Sequence, residues 1–155
     1  MNVQQKNKEK GFTIIEVVLV LAIAGLIFLM VFIALPALQR NQRDTQRKND
    51  MSRAQTAINN FQSNNRGSLP SNWDAFETQY LTSNGDTFAD PSGPNYDFVP
   101  NTTKPVIGDF NGAQPKIYAT TGATCNGEDI DTGKGNRKVA LQMKLEGGGI
   151  SCVSN

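Results

Sequence analysis

Histidine is absent from this 155-residue chain, and cysteine occurs only twice. Without imidazole the chain lacks the commonest general base and the commonest zinc ligand. Two thiols cannot by themselves build a structural zinc site or an iron–sulfur cluster, although they can form one disulfide. No nucleophile–base–acid set, phosphate loop or dinucleotide fingerprint occurs in the sequence. We therefore predict a protein that is not an enzyme and that holds neither a cofactor nor a metal.

The formal net charge of +1 conceals a strong segregation of charge along the chain. Residues 1–11 carry three basic side chains and one acidic one, and residues 12–38 carry a single glutamate. Residues 39–66 carry six basic and two acidic side chains, whereas residues 67–155 carry six basic and ten acidic ones. The near-neutral total thus results from opposite charges in different segments that cancel. The chain has four zones that differ in charge.

Residues 12–38 form an apolar run that is long enough to cross a membrane, since about 20 helical residues span a ~30 Å hydrocarbon core. The run is apolar on all sides, which in so short a chain predicts a membrane helix rather than a buried one. A secretory signal peptide is the alternative, but residues 34–38 make a poor cleavage site. Within the run, Glu16 should gain nothing in a membrane monomer, so its lone carboxylate predicts a functional role.

The residues around Glu16 form a recognisable motif, which reads KGFTIIEVV at residues 10–18. It resembles the prepilin motif of type IV pilins and pseudopilins, in which a short basic leader ends in glycine before a phenylalanine and an apolar helix. The resemblance implies that a prepilin peptidase cuts between Gly11 and Phe12 and that the new amine of Phe12 is methylated. It further implies that Glu16 of one subunit meets the terminal amine of a neighbour in a filament.

The resemblance also implies a function, partners and a location. The leading interpretation is a type IV pilin subunit that forms a helical homo-oligomeric filament used in adhesion, twitching motility or DNA uptake. The alternative is a pseudopilin or minor pilin of a type II secretion or competence apparatus. Implied partners are the prepilin peptidase, the pilus assembly machinery and, before assembly, the lipid membrane. DNA is a possible partner that no residue pattern supports.

The precursor is expected in the cytoplasmic membrane, and the assembled subunit in an extracellular filament. Basic residues on both sides of the apolar run leave its orientation undecided by the positive-inside rule, so the resemblance alone places the leader in the cytoplasm. The stretch from Gly25 to Pro36 corresponds to the segment that can lose helical form on assembly in this family. Pro36 lacks an N–H, so a kink or break before it is also expected.

Beyond the apolar run the sequence predicts a helix that continues to about residue 64, because no Gly or Pro interrupts residues 39–66. Apolar residues at helical spacing form one narrow stripe on it, namely Met51, Ala54, Ile58 and Phe61. A separate helix after a break at Pro36 is the alternative. The row Arg40, Arg43 and Arg47 predicts a solvated face with intrahelical pairs such as Asp44–Lys48, with a phosphate site as the alternative.

Residues 67–155 are predicted to form an α+β head. A short helix over residues 71–81, with Ser71 in the manner of a capping box, precedes four predicted strands at residues 96–99, 116–120, 138–146 and 150–153. Residues 122–136 are predicted to be a loop. The predicted fold is pilin-like: the long helix packed on a small antiparallel sheet. The predicted parts are therefore a leader (1–11), a transmembrane helix (12–38), its amphipathic continuation (39–66) and an extracytoplasmic head (67–155).

The two cysteines, Cys125 and Cys152, both fall in this head. Oxidised, they would form a disulfide that joins the predicted loop at residues 122–136 to the last predicted strand. Two free thiols, as expected in a reducing compartment, are the alternative. The pilin resemblance favours pairing, because many members of that family join their C-terminal region by a disulfide.

Overall fold

The computed structural model describes residues 11–83 and 85–155, so the predicted leader lies outside the described residues except for Gly11. The chain divides into two compact units, a first unit of residues 1–38 and a second unit of residues 39–155. The elements in chain order are α1 (Ile14–Asn64), α2 (Trp73–Phe76), a π-helical turn (Glu77–Leu81), β1 (Asp97–Asn101), β2 (Lys116–Thr121), β3 (Ala123–Asn126), β4 (Asp129–Thr132), β5 (Val139–Lys144) and β6 (Ile150–Ser154).

The first unit consists of the apolar start of α1. All of its described residues except Ala24 are exposed, and α1 is the helix of the described chain that is long and apolar enough to cross a membrane. The α-helical hydrogen-bonding pattern continues through Pro36, so a separate second helix does not form. A proline removes one backbone donor, and long membrane helices tolerate that loss.

The remainder of α1 contributes to the core of the second unit, as the apolar stripe predicted. Met51, Ala54 and Ile58 are buried, and Phe61 packs against the same core. The core is completed by aromatic side chains, and by alternate residues of the sheet. A continuous set of edge-to-face, tilted and stacked contacts joins the rings of Phe61, Trp73, Phe76, Tyr80, Phe88, Tyr96 and Phe98. Such pairs stabilise by more than their buried area alone.

The main sheet has four strands in the order β1-β2-β5-β6. The pairs β2–β5 and β5–β6 are antiparallel, as predicted, whereas β1 and β2 are parallel, so the sheet is mixed and the α+β, pilin-like fold class is confirmed. A parallel return needs a connection of about a dozen residues or more. The segment 102–115 between β1 and β2 supplies that length.

Residues 122–136, predicted as a loop, contain the antiparallel hairpin β3–β4. Its strands are short and expose half of their side chains, so no clear alternation of apolar residues marked them; Ile130 is the residue of β4 that is buried. A disulfide joins Cys125 of β3 to Cys152 of β6. The hairpin thereby covers the face of the sheet opposite to α1, where it buries Ala140 in a second small core.

The helix predicted for residues 71–81 is shorter than expected and changes type. Asn72, rather than Ser71, caps α2, because its side-chain oxygen accepts a hydrogen bond from the Ala75 N–H at 3.0 Å. Asparagine is among the best N-cap residues, and it lies one position closer to the helix. The chain then passes directly into the π-helical turn that ends at Leu81.

Candidate functional site

The predicted cleavage site lies immediately before the first turn of α1. Gly11, Phe12 and Thr13 belong to no helix or strand, and Phe12 is 91% exposed. A Cβ atom placed on Gly11 would meet no heavy atom within 4 Å. Nothing in the described chain therefore requires glycine at position 11. Any requirement for it must come from a protein that acts on this peptide bond.

Thr13 and Glu16 form a capping box at the start of α1. Oε2 of Glu16 accepts hydrogen bonds from the Thr13 N–H and the Thr13 hydroxyl, both at 2.8 Å. The Glu16 N–H is in turn directed at the Thr13 hydroxyl oxygen, at 3.4 Å. This reciprocal pattern satisfies donors that the first helical turn otherwise leaves unpaired.

The capping box corrects the expectation that the Glu16 carboxylate gains nothing within one subunit. The signal for it was present in the sequence, since Thr-x-x-Glu before an apolar run is the capping-box pattern. Both hydrogen bonds use Oε2, and among the described residues no donor contacts Oε1. The carboxylate therefore retains an acceptor that a group from outside the chain can use.

Phe12 and Glu16 lie one helical turn apart and line the same recess. The recess has a volume of about 340 Å³, and the other lining residues are Val17, Val20 and Leu21. Apart from Glu16 its walls are apolar. The structure thus places the first residue of the predicted mature chain beside the one carboxylate of the apolar run. Gly25 and Pro36, which bound the stretch predicted to lose helical form on assembly, both lie within the continuous helix α1.

The matches to known proteins bear on this region. A family model, the prokaryotic N-terminal methylation motif, matches residues 6–32. The chain carries a type IV prepilin-like leader signature. The match confirms the resemblance drawn from residues 10–18, and it covers Gly11, Phe12, Glu16 and Gly25. No curated protein and no solved structure matches the chain.

The signature supports a coarse class for this chain. It is the motif of type IV pilin-like proteins and pseudopilins, which is a structural class rather than a class of enzymes. Together with the exposed apolar start of α1, it fits a chain anchored in a membrane. The motif is shared by pilins and pseudopilins and does not separate them.

A second set of charged residues, in the second unit, was misinterpreted from the sequence. Arg47 was predicted to lie on a solvated face, but its side chain is fully buried. Its guanidinium holds Asp90 through two parallel hydrogen bonds, Nε to Oδ2 at 2.6 Å and Nη2 to Oδ1 at 2.8 Å. Its Nη1 contacts Asp44 at 2.8 Å and Glu146 at 3.1 Å, and the ring of Phe110 covers it. No phosphate site remains there.

Neighbouring residues extend this charge cluster to the turn between β5 and β6. Arg43 pairs with Glu146 through two bonds of 2.8 and 2.5 Å. Asp44 accepts hydrogen bonds from the main-chain N–H groups of Glu146 and Gly147 at 2.9 and 2.7 Å. Within the helix it pairs with Arg47, and the predicted pair with Lys48 was wrong. The second part of α1 is thereby tied to the turn 145–149.

The pKa values of the cluster follow from these contacts. Burial alone would lower the pKa of Arg47, but its hydrogen bonds to three carboxylates raise that pKa above its ordinary value. The hydrogen bonds from Arg43 and Arg47 hold the pKa of Glu146 down to about 2, against the effect of its partial burial. Asp90 also has a lowered pKa, because its bonds to Arg47 and Ser92 outweigh its desolvation. Arg47, Asp90 and Glu146 are therefore charged at neutral pH.

Proposed function

We propose that this prepilin-like chain is a type IV pilin subunit, which is cut after Gly11 and polymerises into a cell-surface filament. The observation that carries the proposal is the leader signature at residues 6–32, together with an apolar helical segment that is exposed among the residues the structure describes. Such a surface is not stable in water. Lipid covers it in the precursor, and other copies of the same helix cover it in the filament.

Cleavage changes the electrostatics of the site. It creates an α-ammonium at Phe12, and an unperturbed amine of this kind has a pKa of about 7.7–8.0, which N-methylation does not abolish. A cation and a carboxylate in apolar surroundings must both find partners. Oε1 of Glu16 is the available acceptor, because Oε2 already serves the capping box. We assign Oε1 to the Phe12 ammonium of the neighbouring subunit.

This arrangement makes processing the switch for assembly. The uncut precursor has an amide at Phe12 and no cation to offer, so subunits remain singly dispersed in the membrane. After cleavage each subunit supplies one ammonium and one carboxylate, which fixes the register between neighbours. The leader then belongs in the cytoplasm and the second unit outside, a compartment in which the Cys125–Cys152 disulfide persists.

Mass spectrometry of filaments sheared from cells tests the proposal. We expect a dominant chain of residues 12–155 with a methylated Phe12 and no free thiol. A mature chain that begins near Gln39 would show that the apolar run is a secretory signal and would overturn the proposal. A correctly processed chain that stays in the membrane and is scarce in the filaments would instead indicate a pseudopilin or minor pilin.

Two glycine variants test the cleavage site with a matched control. Gly11 and Gly25 both have open space where a Cβ would stand, so neither substitution disturbs the chain itself. Gly11→Leu should leave full-length precursor in the membrane, while Gly25→Leu should still be cut. Equal processing of the two variants would remove Gly11 from the peptidase site.

A further inference from the structure

A polar cleft lies at the end of α1 in the second unit. It has a volume of about 760 Å³, within the range of small-molecule sites. Its polar side chains are those of Arg66, Ser68, Thr102, Thr121, Asn136 and Arg137, and much of the remaining wall is glycine main chain. No acidic residue and no aromatic ring lines it among the described residues. The cleft therefore offers two positive charges and several hydroxyl and amide groups.

Neither guanidinium is neutralised by the folded chain. Among the ion pairs of residues 11–83 and 85–155, none involves Arg66 or Arg137. This contrasts with Arg43 and Arg47, which are held by carboxylates of the same unit. Two unpaired arginines that line one concave site favour an anionic group with a planar or tetrahedral arrangement of oxygens.

Arg66 adopts a conformation that costs stability. It has φ of +56° and is the non-glycine residue of the described chain with positive φ. It terminates α1, where Gly67 N–H bonds back to the Gln62 carbonyl at 2.7 Å. Glycine or asparagine usually occupies such a position. An arginine there keeps a strained backbone and directs a charged side chain to the cleft, a combination that accompanies functional sites.

Arg137 lines the same cleft. Its main-chain oxygen accepts hydrogen bonds from the side chains of Gln62, at 2.7 Å, and Asn155, at 2.9 Å. Its Nε would lie only 3.2 Å from a Cβ placed on Gly67, so the arginine side chain packs on bare glycine main chain beside Arg66. The main chain of Arg137 is thus fixed beside Gly67, and both arginine side chains are exposed to solvent and accessible to a ligand.

We infer that this cleft binds an acidic sugar unit, meaning a pyranose that carries a carboxylate. The arginines would take the carboxylate, and the hydroxyl and amide side chains would take the sugar hydroxyls. A free phosphate would leave most of the 760 Å³ and the hydroxyl-bearing walls unused. Nucleic acid is disfavoured because no aromatic ring in the described lining can stack on a base. The inference does not depend on polymerisation, since every lining residue belongs to the second unit.

Binding to the full-length chain in uncharged detergent micelles tests this inference. The probe is the trisaccharide of galacturonic acid, and the matched neutral probe is the trisaccharide of galactose; both are titrated by calorimetry at low salt. We expect binding of the acidic trisaccharide and at least about tenfold weaker binding of the neutral one. Equal affinity for both probes, or no heat with about 10 mM of the acidic one, would overturn the inference.

Variants separate a ligand-binding role from a structural one. Arg137→Gln should weaken binding of the acidic trisaccharide by about tenfold or more, and Arg137→Lys should lose less because it keeps the charge. Lys116→Gln is the control, since it removes one charge from β2 outside the cleft. If Lys116→Gln weakens binding as much as Arg137→Gln, the effect is that of overall charge and the cleft is not the site.

Arg66→Gly gives the sharpest readout. Glycine relieves the positive φ, so the melting temperature should rise while the affinity for the acidic trisaccharide falls. A variant that merely damaged the fold would lower both. Unchanged affinity in Arg66→Gly would remove Arg66 from the site. Tighter binding of a DNA duplex than of the trisaccharide would replace the sugar by nucleic acid and overturn the assignment.

Discussion

Arg47→Met should destabilise the second unit by about 3–5 kcal/mol, because it removes the one cation that neutralises a buried carboxylate. Asp90 has no exposed side-chain area, and apart from Arg47 its hydrogen-bond donors are the hydroxyl and N–H of Ser92. The other partners of Arg47 suffer less. Asp44 keeps two main-chain N–H groups, and Glu146 keeps Arg43. The loss is therefore dominated by Asp90.

A loss of this size is a large part of the stability of a domain, which is typically about 5–15 kcal/mol. The size follows from desolvation rather than from the strength of the ion pair. Replacing both partners should consequently cost much less than replacing one. In Arg47→Met with Asp90→Asn, the amide oxygen can still accept the hydrogen bonds from Ser92, and position 90 no longer carries a buried charge. We expect this double variant to recover at least half of the loss.

Urea denaturation of the full-length chain in micelles measures these differences through fluorescence. Trp73 is the only tryptophan, and it is buried in a stacked contact with Phe98, so its emission reports the core of the second unit. Arg40→Met is the control, because Arg40 belongs to the same helical row but is exposed and forms no ion pair within the described residues. Its effect should stay within about 0.5 kcal/mol. If Arg47→Met costs no more than Arg40→Met, the argument from buried charge is wrong.

Three further predictions concern the acid stability, the disulfide and the assembly site. Stability should fall as the pH drops from about 4.3, the ordinary pKa of a glutamate, to about 2, the folded pKa of Glu146. The reason is that a carboxylate with a lowered pKa stabilises the fold only while it is ionised. An unchanged urea midpoint over that pH range would contradict this prediction. Cys152→Ser should cost about 3.5 kcal/mol, the loop entropy for a sequence separation of 27, and alkylation of two thiols in unreduced native protein would refute the pairing. Glu16→Gln keeps an oxygen for the capping box but removes the charge, and Glu16→Val removes both; each should fail to form filaments, and co-expression with the unmodified chain should partly rescue each. Normal filaments from Glu16→Gln alone would show that the cap, not the ion pair, is what position 16 provides.

The features that could be predicted from sequence are those encoded by local patterns. The apolar run is one continuous segment, and the motif around Glu16 falls within a few residues. The stripe that starts at Met51 repeats at helical spacing. The strands β2, β5 and β6 were found within two residues of their ends. In each case the pattern lies in residues that are close in sequence, so the element could be predicted without knowing which distant residues it contacts.

The features that were missed depend on distant partners. Arg47 is buried by residues 43 and 99 positions away, and no local pattern distinguishes it from the exposed Arg40. The hairpin β3–β4 was missed because its strands are short and largely polar. Its apolar side chains are buried only through contact with β5 and β6. The parallel pairing of β1 depends on the path of the segment 102–115. Propensity carries no information on any of these.

The segregation of charge along the sequence now has a physical explanation within the second unit. The basic excess of residues 39–66 and the acidic excess of residues 67–155 meet where α1 contacts the turn after β5 and the segment that holds Asp90. Arg43 and Arg47, which made the positive-inside count ambiguous, are neutralised by carboxylates of the folded chain. These two arginines are therefore folding residues, and Arg40 and Lys48 are the exposed cations that remain on that stretch of the helix.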